Sequence, residues 1–517
     1  MKRKLFVLFI LTAIANFTVA QNVTILDANF KAYLVGNTDI NTNGDNEISV
    51  AEAQAFTDSM YITSLGITDM TGIEAFVNMT RLFCGFNSIT TLDVSNNTNL
   101  EMLYCQNNAI TDLNITGLTS LTHLFCANNQ LSTLNLSTTT ALESLLCYQN
   151  QLTSLNISSN TNLTDLQCFN NQLTSLNVST NTALTNLNCD HNSLVSLDVS
   201  TNTALTTLSC GSNSLVSLDL STNTALTKLS CDRNSLVSLD TSNNTFLNFL
   251  YCHYNQLTSL NLSNNTTLTL LWCHYNKLTH LDVSSNTALI ILWCIGNQLT
   301  SLDVSTNTTL GSLWCSNNKL ISLDLSNNTA LNSLRCNNNQ LTSLNLKNGN
   351  NANVEMSNLD FTNNPNLRCI QVDNIVYCDA NWSSKKDATA CFSENCVTPT
   401  FDLPISVCQN TTAPILPTSS QNTMPGVWSP VTIDTSVVGT QTYIFTPTQC
   451  ANSYSIAISV IATPDTPTGD ANQTFNAGQT LADLVVNGSN LVWSSSSTFS
   501  DTLSDSEPLV NGTTYYV

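Results

Sequence analysis

Residues that could do chemistry recur along this chain at one fixed interval. Thirteen cysteines, Cys84, Cys105, Cys126, Cys147, Cys168, Cys189, Cys210, Cys231, Cys252, Cys273, Cys294, Cys315 and Cys336, follow one another at steps of 21 residues. Thiols in such a series could form disulfides, hold metal or act as nucleophiles. Neighbours stacked in register keep their Cβ atoms near the strand spacing, wider than the ~3.8 Å a disulfide prefers, and unpaired Cys is among the most buried residue types. The series is therefore read as an inward, reduced row of small hydrophobes. Asp232, His253 and His274 share one position on three successive periods. Two imidazoles and a carboxylate suit zinc, but a straight row at strand spacing does not converge tetrahedrally, which leaves these residues to a binding face. Around His123, His191, His253, His274 and His280 no nucleophile–base–orienter set can be placed. No phosphate loop, Gly-rich dinucleotide turn or His-Glu-x-x-His run is present. The chain is read as non-enzymatic, with no cofactor required.

The elements that position these residues follow from the period. Aliphatic residues stand five and two places before each Cys, as in Leu163 and Leu166 before Cys168, and an Asn stands three places after, from Asn87 to Asn339. Leu-x-Cys alternation makes a short parallel strand with both side chains inward. The Asn sits where the chain turns, and its amide can satisfy backbone groups that the turn buries. A repeat this short cannot bury its own apolar face, so stacking must supply the core. The pattern Leu-x-x-Leu-x-Cys-x-x-Asn-x-Leu resembles the leucine-rich repeat with Cys in a leucine position. At ~4.8 Å per strand, thirteen turns make a rod roughly 60 Å long. The second half of each period alternates too and could form a second strand, so a parallel β-helix is the competing architecture. Asp93, Asp198, Asp219, Asp240, Asp282, Asp303 and Asp324 interchange with Asn in other turns, which points to turn capping.

Residues 1–20 read as a signal peptide: Lys2, Arg3 and Lys4 precede a short apolar run and a Thr18-Val19-Ala20 cleavage site. Residues 21–60 read as a helical cap, with a capping box beginning at Ser49. Inside it, residues 41–52 resemble an EF-hand loop in which Asn41, Asn43, Asp45, the backbone carbonyl of Glu47 and Glu52 would hold calcium, although Asn replaces the usual Asp and Gly at its first and sixth positions. Such an entry cap resembles that of internalin-type bacterial repeat proteins. The solenoid is assigned to 61–347, a Cys-rich exit cap to 348–396 and a linker to 397–404. Cys369, Cys378, Cys391 and Cys396, with Cys408 and Cys450 further on, are the disulfide candidates of an exported chain, their pairing left open. Residues 405–461 resemble an immunoglobulin-like β-sandwich, and 462–517 a second such module that breaks off in a strand, so the natural protein is expected to continue. The fold class is thus mainly β: a leucine-rich-repeat solenoid with a short helical cap, then sandwich modules. This order resembles surface proteins exported by type IX secretion in Gram-negative bacteria.

Only 9 % of residues are charged, with 14 Lys+Arg against 35 Asp+Glu, and loss of Lys2, Arg3 and Lys4 takes the net charge from −21 to −24. That balance excludes nucleic acid and anionic membrane as partners. No stretch after the signal segment is long and apolar enough to span a bilayer. Periods nine to twelve place Tyr251, His253, Tyr254, Trp272, His274, Tyr275, Trp293 and Trp314 beside the cysteines, on the outward side of the strands. A contiguous aromatic stripe marks an interaction site, the competing reading being rings that shield one another as a stabilising ladder; Phe83, Phe86, Tyr104, Phe125, Tyr148 and Phe169 make a weaker patch near the entry. The expected function is surface recognition or adhesion: an extracellular protein binding a protein ligand on another cell or matrix through the concave solenoid face. The competing function is carbohydrate binding, with the tryptophans as stacking platforms.

Overall fold

Alternation within each period has the consequence expected of it. In a computed structural model describing residues 21–354, 356–463, 466–488 and 490–517, each turn of the cysteine series contributes a three-residue strand whose central Leu is buried, as in Asp165–Gln167 around Leu166. The strands pair in parallel, one period apart: Leu208 stands beside Leu229, and Leu229 beside Leu250. Fifteen of them, from Ser59–Tyr61 to Leu359–Asp360, form one continuous sheet. The fold is a mainly β leucine-rich-repeat solenoid of about sixteen turns with few helices. Its core runs unbroken from Val23 to Phe392. Every buried Leu contributes roughly 1.5–3 kcal/mol relative to exposure, and each depends on the turns above and below for that burial. The signal segment lies outside the described residues.

All thirteen ladder cysteines are free, fully buried thiols. Burial pushes their acidity far down, raising the pKa of Cys84, Cys126 and Cys294 to about 12 and making thiolate chemistry unfavourable. The Asn three places on does the work expected of it. Asn171 donates from Nδ2 to the carbonyls of Cys147 and Cys168, both at 3.1 Å, and accepts at Oδ1 from the Leu152 amide at 3.0 Å. A second asparagine ladder, not anticipated, runs along the other edge. Asn202 is fully buried and donates to the carbonyls of Val178 and Asn181, and the same bonds recur at Asn223, Asn244 and Asn286.

The second half of the period forms strands only towards the two ends. Thr91–Asp93 pairs with Asp112–Asn114 near the entry, and four short strands from Ser322–Asp324 to Cys391–Ser393 pair near the exit. Between them no such strand occurs among the described residues, so the β-helix alternative fails. The aspartates there cap turns, Asp198 and Asp219 each accepting from the amide two residues on at 2.9 Å.

Before the first turn stand two helices, Ala28–Gly36 and Val50–Ala55. Asp27 caps the first and also accepts from the Thr68 amide, tying that helix to the opening turn. Phe30 and Leu34 enter the solenoid core. Near the exit, Ile375–Trp382 is helical and buries Trp382 against Phe361 and Phe392. Residues up to Cys396 and those from Val397 onward are two compact units. Within the second, strands Ser406–Cys408, Tyr454–Ile461, Gly439–Pro447 and Gly426–Ser429 form one sheet in that order over a small core of Leu416, Trp428, Tyr443, Phe445 and Ile458. A sandwich needs two sheets; among the described residues of 405–461 there is one. Among the described residues beyond 466 stand the short pair Thr468–Gly469 and Val486–Asn487, a 3-10 turn at Leu481–Asp483 and isolated bridges.

Candidate functional site

Stacking in register turns sequence columns into rows of side chains along the long sheet. Tyr251, Trp272, Trp293, Trp314 and Arg335 occupy equivalent places on consecutive strands. Trp272 and Trp293 stack at 4.4 Å and 3° between planes, and Trp293 and Trp314 at 4.1 Å and 1°. Tyr251 meets Trp272 edge-on at 5.0 Å. The guanidinium of Arg335 lies 4.4 Å over Trp314, closing the far end of the row. The three indoles are half-buried rather than open. Trp293 and Trp314 donate from Nε1 to the hydroxyls of Ser312 and Ser333 on the next strand. In the Trp272 row the corresponding residue is Ile291, which offers no acceptor, and Trp272 Nε1 is buried without a partner.

Two further rows flank the first. His253 and His274 stack at 4.2 Å, and Tyr254 and Tyr275 at 4.6 Å with Arg233 4.4 Å over Tyr254. The tyrosines are the exposed members, at 39 % and 43 %, while His253 is only 8 % exposed. Its placement corrects the expectation of an outward histidine: the neighbouring rings cover it. Burial pushes the pKa of both imidazoles down, that of His274 to about 4, the adjacent His253 adding to the effect. Both are therefore neutral at pH 7, and the Asp232–His253 contact at 3.5 Å is not a charged pair there. On the same column Asp190 accepts from the Gly211 amide at 2.5 Å; burial, with a contribution from Asp232, raises its pKa to about 6.

Tyr254 and Tyr275 hold left-handed backbone, φ 52° and 53°. Asn fills this position in several other turns, and Gly296 fills it in the next. A Cβ on Gly296 would stand 2.6 Å from Tyr275 Cδ1, so the glycine makes room for the ring. Near the entry, a second aromatic row is longer than anticipated: Tyr61 stacks on Phe83 at 4.7 Å, followed by Tyr104 and Phe125. Tyr61 lies outside the cysteine series, which is why the period did not reveal it. The cations Lys228, Arg233 and Arg335 were also missed; the signal was available in their columns, one turn from the aromatics they cover.

The loop at 41–52 does not fit calcium. Glu52, the residue that would grip the ion with both oxygens, spends Oε1 on the amides of Thr42 and Asn43 and the Thr42 hydroxyl, and Oε2 on the amide and hydroxyl of Ser49. Burial opposes its charge, yet these bonds together hold its pKa below the usual range. Asn41 turns its amide nitrogen to the carbonyls of Val35 and Asp45, and Asn43 and Asp45 bond each other. The loop is a polar knot capping a helix. Of the disulfide candidates, Cys369 pairs with Cys396. Cys378 and Cys408 do not bridge: the first is a buried thiol on the exit helix, the second an exposed thiol on a sheet strand.

Comparison with known proteins now adds to this geometry. A family model for leucine-rich repeats in two copies matches residues 98–138. The functional domain of InlJ from Listeria monocytogenes, described as including a cysteine ladder, is 30 % identical, with 84 % of this chain and 97 % of that one covered and a TM-score of 0.62. The chain belongs to the internalin-type leucine-rich-repeat proteins. Its own ladder of thirteen thiols thus has a counterpart in an internalin. An internalin InlF from the same organism is 24 % identical over 61 % of this chain and 90 % of that one, TM-score 0.49. The Arabidopsis receptor kinase HAESA, in complex with the peptide hormone IDA and the co-receptor SERK1, is 18 % identical over 62 % and 63 %, TM-score 0.50, a likeness of fold. No curated protein matches. Among the described residues no helix is long and apolar enough to cross a membrane.

Proposed function

We propose that this internalin-type chain is a non-enzymatic recognition protein of the cell exterior that binds a protein ligand across the face bearing Tyr251 to Trp314. The observation that carries this reading is the arrangement of the rings. Sugar recognition by stacking needs an open aromatic face, but Trp272, Trp293 and Trp314 spend their faces on one another and on Arg335. What remains for a partner is ring edges, the exposed tyrosines and the adjacent cations, the residue types that anchor protein interfaces. The solenoid holds them in place before contact, which lowers the ordering cost of association. HAESA, similar in fold, is found in complex with a peptide hormone and a co-receptor, which supports a protein ligand. In this reading the two entry helices shield the first turn, the sheet after Val397 serves as a spacer, and export follows the type IX route.

The test is binding of the labelled full chain to intact cells of a candidate host or neighbour, with cells pretreated by protease or by glycosidases. Loss after protease alone, together with a fall of roughly tenfold or more in Tyr275→Ser and Trp293→Ala, supports the assignment. Loss after glycosidase alone favours the carbohydrate reading, and undiminished binding by both variants removes the face from consideration.

A further inference from the structure

Charge is divided along the long sheet. From four places before to four places after each of Cys252, Cys273, Cys294, Cys315 and Cys336 there is no Asp or Glu, although the chain holds 35. The same stretches carry Lys277, Lys319 and Arg335, and Lys228 and Arg233 stand one period ahead of them. Between Arg81 and Lys228 the chain has no Lys or Arg at all, and the corresponding stretches there hold Glu101, Glu143, Asp165 and Asp190. In a chain of net charge −21, five of the 14 cations thus gather around the aromatic rows.

Their placement encloses the rings. Lys228 and Arg233 lie over Tyr251 and Tyr254 at one end, and Arg335 over Trp314 at the other. Lys277 and Lys319 are exposed on the turns that follow their strands, bonded to Gln256 and Gln298 one period back. Inside this border a second row, Phe249, Leu270 and Ile291, runs beside Tyr251, Trp272 and Trp293, and Phe249 and the adjacent Ile290 are exposed. A guanidinium stacked on a ring still offers its N–H edge to a carboxylate. The apolar row favours aliphatic or aromatic side chains; an anionic glycan would answer the cations but set its hydroxyls against Phe249, Leu270 and Ile291. Five strand steps separate the turns of Arg233 and Arg335, roughly 24 Å at ~4.8 Å each, which an extended chain covers in about seven residues.

We propose that the protein ligand presents to this face an acidic segment in which Asp or Glu residues are interspersed with apolar side chains over about seven residues. This rests on the recognition reading above and names the chemistry of its partner. The negative remainder of the chain repels such a segment elsewhere, so attraction is confined to the patch and orients the encounter.

The probes are a labelled ten-residue peptide of Glu, Tyr and Leu, its counterpart with Gln for Glu, and heparin as an anionic glycan, each followed by fluorescence anisotropy with the full chain. The acidic peptide should bind roughly tenfold or more tighter than the Gln peptide, with the advantage shrinking as salt rises. Lys277→Glu combined with Lys319→Glu should remove that advantage while circular dichroism stays that of the parent; Arg233→Gln, should the double variant fail to fold, should weaken it in the same direction. Equal affinity for the two peptides, undiminished binding in a folded variant, binding of heparin alone, or self-association of the chain that the double variant abolishes overturns the proposal. Cell binding separates this inference from the reading beneath it. Loss in Trp293→Ala but not in the lysine variant overturns the acidic partner and keeps the face, whereas survival in both removes the face itself.

Discussion

Tyr254 and Tyr275 hold a backbone conformation that costs an ordinary L-residue roughly 1–2 kcal/mol. Asn107, Asn128, Asn170, Asn317 and Asn338 hold the same conformation in other turns, and Asn tolerates it better. Replacing Tyr275 by Asn relieves that strain but loses the stack with Tyr254, itself worth about 0.5–1.5 kcal/mol. The two terms offset, so melting of Tyr275→Asn should stay close to the parent while cell binding falls; a large loss of stability would mark the ring as structural. Asp190 gives a prediction in pH. Its pKa is about 6 folded against 3.8 ordinarily, so between those values the native state holds more protons than the unfolded one. Its contribution to stability is therefore full below pH 4 and lost as pH rises through 6. Asp190→Asn, which keeps an acceptor for the Gly211 amide, should raise the melting temperature more at pH 8 than at pH 4.5. An equal shift at both would show that the carboxyl titrates normally.

At the scale of elements, the helix Val50–Ala55 was legible because a capping box is local: Ser49 and Glu52 satisfy each other's backbone within one turn. The calcium reading failed for a related reason. Asn, Asp and Glu at alternating positions serve an ion or a self-bonded turn equally well, and only the direction of the Glu52 carboxylate distinguishes them. Glu52→Ala would leave the amides of Thr42, Asn43 and Ser49 without acceptors, a loss of at least about 2 kcal/mol. Thermal melting of that variant should fall, and calcium should not shift the melting of the parent chain. A calcium-dependent rise that Glu52→Ala abolishes would restore the ion site. The aromatic columns were legible too, but their tilt was not. Whether Trp272 and Trp293 face solvent or each other depends on side-chain packing between turns, which periodicity does not encode.

Across the whole molecule, each turn of the solenoid is held chiefly by its two neighbours, so stability is close to a sum of local terms along one axis. The period revealed this architecture, since identical spacing of Leu, Cys and Asn can be satisfied only by stacking. It did not reveal the second asparagine ladder's partners, which lie up to 24 residues back along the chain. One-dimensional coupling predicts that damage stays local. Asn234 donates to the carbonyls of Cys210, Cys231 and Asp232 and accepts from the Leu215 amide. Asn234→Ala leaves these groups unpaired inside the stack, at a cost of about 3 kcal/mol. The buried thiols report where that cost falls, because each reacts with an alkylating reagent only when its own turn opens. Cys210 and Cys231 should alkylate on the order of a hundredfold faster in Asn234→Ala than in the parent, while Cys105 and Cys336 should change little. Mass spectrometry of peptides after a timed alkylation pulse separates the sites. Uniform acceleration across the ladder would mean that the solenoid opens as one cooperative block and that the nearest-neighbour description is wrong.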